Sequence, residues 1–281
     1  MPSASLRIRN VLYYMFLVAF GLVMLYPLLW LLLASVKPSN EIFASAKLWP
    51  SQFVFSSYVK GWVGTGQMGF ADFTLNSFML VVPVVVFTLI SSLLVAYGFA
   101  RFTFPLKKLF FYAMISVLML PGSVVIIPRY LLFRDLGWIN TYLPFIVPAL
   151  FATSSFFVFM FIQFFRGLPK ELDESAIIDG CGSLKILLYI LMPLCKPAII
   201  SATIFQFIWT WNDFFDQLIY INSVTKYTVS LGLRMSLDTS THVEWNQLLA
   251  MSIIAILPCV IVFFVSQKYF VEGIATTGLK G

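Results

Sequence analysis

A polar and aromatic cluster at the end of an apolar stretch has residue types that could contact a carbohydrate. It consists of two tryptophans, an asparagine and two acids: Trp209, Trp211, Asn212, Asp213 and Asp216. Asp213 and Asp216 are three residues apart, a spacing that predicts both carboxylates on one helix face. Aromatic faces can stack on the C–H surfaces of a sugar, and carboxylates and amides accept hydrogen bonds from its hydroxyl groups. The alternative is that the acids lie in the wet headgroup zone of a membrane and the tryptophans are interfacial anchors.

Catalytic chemistry finds little support elsewhere in the sequence. No Gly-x-x-x-x-Gly-Lys-Ser/Thr motif occurs, so we expect any nucleotide to be bound and hydrolysed by a partner. The single histidine, His242, has only Glu244 nearby, which is too few ligands for a metal or catalytic centre. The cysteines Cys181, Cys195 and Cys259 lack paired spacing, so we expect reduced thiols and no disulfide. We therefore predict neither an enzyme nor a metal protein.

The composition indicates an integral membrane protein. Of the 281 residues, 60% are hydrophobic and only 11% are charged, with a mean hydropathy of +0.93. A soluble domain carries about a quarter charged residues, because its exposed surface needs polar cover. The net charge of +6 is explained below by membrane orientation and gives no support to nucleic-acid binding.

Uncharged stretches locate the membrane spans. A spanning helix needs about 20 apolar residues, and five stretches reach that length. A sixth stretch, 197–212, is long enough only if Asp213 and Asp216 lie in or near the membrane. We therefore predict an all-α membrane protein with a single transmembrane domain over residues 1–281 and a cytoplasmic loop at 166–197. The six predicted spans are at about 11–36, 73–100, 109–128, 142–165, 198–220 and 246–268.

The basic residues predict the orientation of these spans. Six spans place both termini on one side, and that side holds most of the 18 Lys and Arg, including Arg101, Lys107 and Lys108 in a very short loop. The positive-inside rule makes this the cytoplasmic side. Arg7 and Arg9 precede the first stretch as in a signal peptide. Its 26 uncharged residues exceed the usual core of about 7–15, so we expect an uncleaved helix.

The cytoplasmic loop 166–197 has the pattern of two short helices. Pro169 precedes three acidic residues, which is typical of the first turn of a helix. An apolar stripe with a spacing of about four residues follows: Leu172, Ala176, Ile177 and Ile178. Gly180 and Gly182 suit a left-handed cap at the end of this helix, and Ser183 can cap a second helix.

This loop resembles a known motif. The segment Glu174-Ser-Ala-Ile-Ile-Asp179-Gly180-Cys, followed by Ile190-Leu-Met-Pro193, resembles the EAA loop of ABC-importer permeases. The usual form is Glu-Ala-Ala, two residues, Asp-Gly-Ala, and later Ile-x-Leu-Pro. Ser175, Cys181 and Met192 replace Ala, Ala and Leu, and these small or isosteric changes leave the helix and its glycine turn intact.

The resemblance covers most of the chain and is strongest to the carbohydrate importers, on the side of the maltose "G" permease. The segments that resemble this subfamily are 119–128, 136–142, 211–214 and 269–281. The sequence departs from many relatives at Asp216-Gln217, where a proline is common. We interpret this as a more polar rim of the cavity.

The resemblance implies a type I ABC importer permease fold whose EAA loop forms a cytoplasmic coupling helix. Glu174 would meet basic residues of an ATP-binding subunit, Gly180 would give the turn, and the apolar stripe would fill a cleft. The implied coupling residues are Glu174, Ser175, Ala176, Asp179, Gly180, Cys181, Gly182 and Ser183. The implied partners in the bacterial inner membrane are a homologous second permease, two ATP-binding subunits that carry ATP and Mg, and an extracytoplasmic solute-binding protein.

The expected activity is import of sugars or oligosaccharides by alternating access. The predicted spans contain no Lys or Arg, so a neutral cargo is favoured over an anionic one. Arg129 is assigned to an outer loop, as a candidate contact of the binding protein. Another small solute, such as glycerol phosphate or an acidic oligosaccharide, remains an alternative cargo. A secondary transporter predicts paired ionisable residues at mid-membrane and inverted repeats, and neither pattern is present.

Overall fold

The computed structural model describes residues 4–44, 47–64, 68–238 and 243–278. Every regular element in these ranges is helical, as expected where backbone hydrogen bonds must be satisfied without water. The α-helices are α1 (Ala4–Ser35), α2 (Ser56–Val63), α3 (Phe70–Arg101), α4 (Lys107–Met119), α5 (Gly122–Asp135), α6 (Leu143–Leu150), α7 (Ser155–Gly167), α8 (Glu171–Ile178), α9 (Ser183–Ile186), α10 (Met192–Leu194), α11 (Lys196–Asn212), α12 (Phe215–Tyr220), α13 (Val229–Asp238) and α14 (Trp245–Gly278). A π-helical turn, Leu187–Leu191, joins α9 to α10, and a 3-10 turn, Val224–Lys226, precedes α13.

In the described part of the chain, four helical segments are long and apolar enough to cross a membrane. They are Arg9–Ser35, Phe70–Arg101, Leu143–Gly167, which joins α6 and α7, and Trp245–Lys268. Two bent pairs bring the number to six if each is one span: α4 with α5, and Ser183–Leu194 with α11. The first pair is bent by 104° and the second by 80°.

The third predicted span, 109–128, differs from the structure because it ignores this bend. Pro121 is the N-cap of α5, with an extended ψ of 133°. Proline disfavours the helical conformation of the residue before it, so α4 ends at Met119. Helix α5 then continues past Arg129 to Asp135. The uncharged stretch ends at Pro128 because Arg129 follows it, and in the fold Arg129 is paired with Asp216.

The fourth and fifth predicted spans are also interrupted. Within 142–165, α6 ends at Leu150 and α7 begins at Ser155. Within 198–220, α11 ends at Asn212 and a separate six-residue helix, α12, begins at Phe215. The first predicted span falls within a continuous helix apart from residue 36, and the second and sixth fall wholly within one.

The chain forms two compact units. The first unit comprises residues 1–71 and 233–257, and the second comprises residues 72–232 and 258–281. In the first unit, the hydroxyl of Ser57 donates to the Ser35 carbonyl at 2.9 Å, and the hydroxyls of Ser35 and Tyr58 are 2.8 Å apart. These bonds attach α2 to the end of α1.

The second unit is packed around three phenylalanines of α7. Phe157, Phe161 and Phe165 are four residues apart, so they form one stripe, and each is fully buried. The elements around them carry buried small residues, including Ala96, Ala198 and Ala202. Small residues let helix backbones approach closely, and close packing drives helix association where lipid removes the hydrophobic advantage.

Asn140 fixes a long-range contact in the second unit. Its side-chain oxygen accepts hydrogen bonds from the backbone N–H groups of Asn222 and Ser223, at 3.1 and 2.9 Å. Its amide nitrogen donates to the Ser223 hydroxyl at 2.8 Å, and its carbonyl accepts from Lys226 at 2.7 Å. The backbone is left-handed, with φ of 60°, which asparagine tolerates better than most residues.

We expect replacement of Asn140 by alanine to destabilise the protein. Three side-chain hydrogen bonds are lost, which amounts to about 3 kcal/mol at about 1 kcal/mol each. The measurement is the midpoint of thermal unfolding in detergent. Asn222→Ala is the matched control, because the Asn222 side chain is exposed and only its backbone makes the bond described above. Equal midpoints for the two variants would contradict this assignment.

Candidate functional site

A cavity of about 550 Å³ opens within the second unit. It is lined by residues of α3, α5, α6, α11 and α12, together with the segments that follow α6 and α11. The polar and charged residues among them are Thr88, Arg129, Thr153, Ser154, Gln206, Thr210, Asn212, Asp213 and Asp216. The cavity therefore combines polar hydrogen-bonding groups with two aromatic side chains, Trp209 and Phe145.

Four of the five residues predicted for a carbohydrate contact line this cavity: Trp209, Asn212, Asp213 and Asp216. Trp209 is 48% exposed, stacks on Phe205 at 5.9 Å between ring centroids, and contacts Phe156 and Phe157 at 5.2 and 5.4 Å. Sequence position and side-chain type were sufficient to group these residues, because all four lie between residues 209 and 216.

Trp211 does not line the cavity. It is buried, stacks on Phe207 at 5.5 Å between centroids and meets Phe78 edge-on at 5.0 Å. Residues two apart on an α-helix lie about 200° apart around its axis, so Trp209 and Trp211 cannot share a face. Placing Trp211 in the same contact surface as Trp209 was wrong, and its role in the structure is packing.

Asp213 and Asp216 are close together, but not for the predicted reason. Asp213 is the C-cap of α11 and has extended backbone, while Asp216 lies in the first turn of α12. The Asp213 carboxylate accepts a hydrogen bond from the Asp216 backbone N–H at 3.2 Å. The two acids therefore approach through a break between helices, and the prediction of one shared helix face was wrong.

Arg129 lines the cavity, although the sequence analysis assigned it to an outer loop. Its guanidinium forms an ion pair with Asp216 at 2.7 Å and donates through Nε to the Tyr220 hydroxyl at 3.2 Å. The sequence interpretation placed Arg129 in an outer loop and excluded basic residues from the spans. Continuation of α5 beyond Pro128 brings it into the cavity instead.

Gln206 and Thr210 are cavity residues that the sequence analysis did not single out. The Gln206 amide donates to the Thr210 hydroxyl at 2.9 Å. With Asp213 they repeat at intervals of three or four residues toward the end of α11, a periodicity that could have identified a polar face.

Gln217 is not part of a polar rim of the cavity. The sequence analysis had interpreted Asp216-Gln217, where many relatives have a proline, as such a rim. Gln217 is 1% exposed. Its amide donates to the Thr210 carbonyl at 3.1 Å, and its side-chain oxygen accepts from the Thr228 hydroxyl. Gln217 thus ties α12 to the end of α11 and to the segment before α13.

The second candidate site is the loop 166–197. Helix α8 ends in a Schellman motif: the Cys181 N–H donates to the Ala176 carbonyl at 2.9 Å, and the Gly180 N–H donates to the Ile177 carbonyl at 3.0 Å. Gly180 has φ of 79°, as the sequence predicted. Gly182 is extended and is itself the N-cap of α9, so Ser183 is the first helical residue and the expectation of a Ser183 cap was wrong.

The apolar stripe of α8 is divided between two surfaces. Ala176 is 5% exposed and packs into the core, whereas Ile177 and Ile178 are 61% and 85% exposed. Residues one or two apart point in different directions on a helix, so these three cannot fill one cleft. Beyond the turn, Leu184 and Tyr189 are also exposed.

The polar members of this loop are solvent-accessible. Glu174, Ser175 and Asp179 are exposed, and Cys181 is half-buried. The Ser175 hydroxyl donates to the Glu171 carbonyl at 2.8 Å, one turn earlier on α8. Among the residues that the structure describes, no cluster of three His, Cys, Asp or Glu side chains could hold a metal ion. His242 lies outside the described residues.

Comparison with known proteins gives consistent matches along the chain. Residues 3–276 match the family described as "Binding-protein-dependent transport system inner membrane component". The chain is 34% identical over 278 residues to the arabinooligosaccharides transport system permease protein of Bacillus subtilis, which covers 98% of this chain and 96% of that protein. It is 30% identical over 276 residues to the sn-glycerol-3-phosphate transport system permease protein of Agrobacterium fabrum, which covers 96% of this chain and 97% of that protein.

A solved structure supports the fold. The crystal structure of a bacterial ABC transporter involved in the import of the acidic polysaccharide alginate contains a chain similar to this one, with a TM-score of 0.85. The match covers 96% of this chain and 99% of that chain at 24% sequence identity. The all-helical fold predicted from the sequence is confirmed.

We expect Gln217→Leu to lower stability by about 1–3 kcal/mol, because the Thr210 carbonyl and the Thr228 hydroxyl lose a buried partner. Thermal unfolding in detergent measures the change. Gln163→Leu on α7 is the control, since Gln163 is exposed. If both variants unfold at the wild-type temperature, the buried hydrogen bonds of Gln217 do not contribute as described.

Proposed function

Because this chain belongs to the family of binding-protein-dependent transport system inner membrane components, and is therefore a permease subunit of an ABC importer, we propose that it transports a sugar or an oligosaccharide. The observation that carries the proposal is the cavity that combines Trp209, Arg129 and two carboxylates. Family membership excludes the secondary transporter considered from the sequence. The chain is a non-catalytic subunit of the inner membrane.

The chemistry of the cavity suits a polyhydroxylated cargo. The face of Trp209 can stack on sugar C–H groups, and Asp213, Asp216 and Asn212 can accept hydrogen bonds from hydroxyl groups. Two carboxylates outnumber the one guanidinium, which already bonds to Asp216. An anionic cargo would meet this excess of negative charge, so we propose a neutral saccharide. The arabinooligosaccharides permease among the relatives has a name consistent with such a cargo.

An anionic solute is the second candidate cargo, and Arg129 is the observation that favours it. A guanidinium matches phosphate and carboxylate groups through paired hydrogen bonds. The relative named for sn-glycerol-3-phosphate and the structure named for alginate import make such cargo relevant. For Arg129 to bind an anion, the cargo must displace Asp216 from a 2.7 Å ion pair.

Transport is proposed to follow alternating access, with energy from ATP hydrolysed elsewhere. The proposed assembly has a homologous second permease, two ATP-binding subunits and an extracytoplasmic binding protein, and both termini of this chain are cytoplasmic. The coupling residues of this chain are proposed to be those from Glu174 to Ser183. Two features support their role: Glu174 is exposed and negatively charged, and Ile177 and Ile178 are exposed apolar side chains next to it.

The cargo proposal predicts opposite effects of one substitution on two cargo classes. Asp216→Asn removes a carboxylate and releases Arg129 from its ion pair. We expect uptake of a neutral oligosaccharide to fall by about tenfold, the size of a lost hydrogen bond to a charged group, and uptake of an anionic one to rise. The measurement is ATP-dependent uptake by the complete transporter in proteoliposomes. Asp135→Asn, outside the cavity, is the control. Unchanged uptake in Asp213→Asn and Asp216→Asn would exclude these carboxylates from cargo binding.

The coupling proposal predicts loss of assembly when the turn is strained. A β-branched residue at the left-handed φ of Gly180 costs about 1–2 kcal/mol, so Gly180→Val should reduce co-purification of the ATP-binding subunit by about tenfold. Gly167→Val is the matched control, because Gly167 has open space around its Cα and no left-handed φ. Retained assembly and coupled ATP hydrolysis in Gly180→Val would count against the coupling role.

A further inference from the structure

The last residue of α3 forms a buried ion pair with the coupling loop, the segment 166–197. The Arg101 Nε is 2.7 Å from the Asp173 Oδ2, and the two side chains are 8% and 14% exposed. A second nitrogen of the same guanidinium donates to the Leu168 carbonyl at 3.1 Å. Arg101 therefore contacts both the first turn of α8 and the connection that precedes it.

A second bond from the same turn of α3 reaches the other side of the loop. Tyr97 lies four residues before Arg101, and its hydroxyl donates to the Ser183 carbonyl at 3.1 Å. Its ring packs edge-on against Phe165 at 6.1 Å between centroids. Because Asp173 precedes the glycine turn and Ser183 follows it, the end of α3 is bonded to both arms of the loop.

The same surface of α8 is pressed against the core. Ala176, one turn after Asp173, is 5% exposed and belongs to the buried cluster that includes Tyr97, Phe165 and Leu187. The side chains of Ile177 and Ile178 are exposed, and Ile178 lies about 200° from Ala176 around the helix axis. Helix α8 thus has one side bonded to α3 and another side free for a partner.

The ion pair between Arg101 and Asp173 has no substitute among the surrounding groups that the structure describes. Within the described residues, neither Asp173 oxygen has a hydrogen-bond partner, so Arg101 is the group that compensates its charge. A buried charge left without its partner is strongly unfavourable. Arg101 is also at the carboxyl end of α3, where the helix dipole favours a positive charge.

Helix α3 connects this pair to the cavity without interruption. It is continuous from Phe70 to Arg101, and Val84 and Thr88 on it line the cavity. The 14 residues from Thr88 to Arg101 are separated by 13 rises of about 1.5 Å, so the segment spans about 20 Å, and no proline lies between them. A displacement applied at the Arg101 end reaches the cavity wall through one rigid helix.

We propose that Arg101, paired with Asp173, is the positioning residue through which movement of the coupling loop is transmitted to α3 and so to the cavity. This rests on the proposed function, in which the exposed surface of the loop docks on an ATP-binding subunit. Tyr97 gives the second attachment. The ion pair makes the loop and α3 move as one body, so that docking at Ile177 and Ile178 changes the shape of the cavity.

The test compares transport with ATP hydrolysis in the same reconstituted transporter. Variants Arg101→Gln, Asp173→Asn and the exchange Arg101→Asp with Asp173→Arg are placed in the complete complex in proteoliposomes. Cargo uptake, ATP hydrolysis and the amount of bound ATP-binding subunit are measured for each. Arg134→Gln is the matched control, because Arg134 forms an exposed ion pair with Asp135, with 57% and 66% of the side chains accessible.

We expect Arg101→Gln and Asp173→Asn to keep the ATP-binding subunit and to hydrolyse ATP, while uptake per ATP falls by about tenfold, a typical magnitude for coupling between sites. The exchanged pair should raise uptake per ATP above either single variant, since the interaction is restored. Arg134→Gln should match the wild type. The ratio of uptake to ATP hydrolysis distinguishes a loss of transmission from the loop to α3 from general destabilisation, because destabilisation lowers uptake and hydrolysis together.

Three outcomes would overturn the proposal. One is a wild-type ratio in both single variants, and another is a proportional fall in uptake and hydrolysis. The third applies if the single variants do not assemble with the ATP-binding subunit. In that case, an exchanged variant that assembles but shows no gain in uptake per ATP refutes the proposal. Failure of the proposed function itself is distinct, since then the wild-type complex would show no saccharide uptake or no ATP-binding subunit.

Discussion

An ion pair between distant segments is the interaction on which this permease subunit depends, and two such pairs organise it, one half-exposed and one buried. Arg129 with Asp216 lies in the cavity, and Arg101 with Asp173 lies at the cytoplasmic end assigned from the sequence. Removing a charge from water is costly unless an opposite charge compensates it. With charged residues only 11% of the chain, each pair therefore marks a position where the fold must hold two segments together.

The breaks between helices make these pairs possible. Pro121 separates α4 from α5, and the two helices are bent by 104° relative to each other. This bend carries Arg129 of α5 into the cavity. The break after Asn212 lets Asp213 bond to the backbone of Asp216, and the buried amide of Gln217 secures α12. As a result, Asp213 caps α11, Asp216 pairs with Arg129 and Gln217 is buried, although the three residues are close in sequence. Helix α3, unbroken between Thr88 and Arg101, joins the cavity to the coupling loop.

This arrangement gives a physical account of a transport subunit without catalytic groups. The cavity offers hydrogen-bonding groups and the Trp209 face, and the coupling loop offers exposed apolar and acidic side chains. The family assignment rests on the match over residues 3–276, and the fold on the structural similarity to an ABC importer. The cargo class and the coupling residues are proposals that build on these findings.

The sequence by itself determined the membrane class, the helical fold, the glycine turn at Gly180 and the grouping of Trp209 with Asn212 and Asp213. These follow from composition, the length of uncharged stretches and local spacing, which are properties of neighbouring residues. The tertiary structure alone decided that Trp211 and Gln217 are buried, that Ala176 faces the core, and that Arg129 and Arg101 pair with Asp216 and Asp173. Those partners are 87 and 72 residues apart in sequence, so only the packing of distant helices brings their charges into contact.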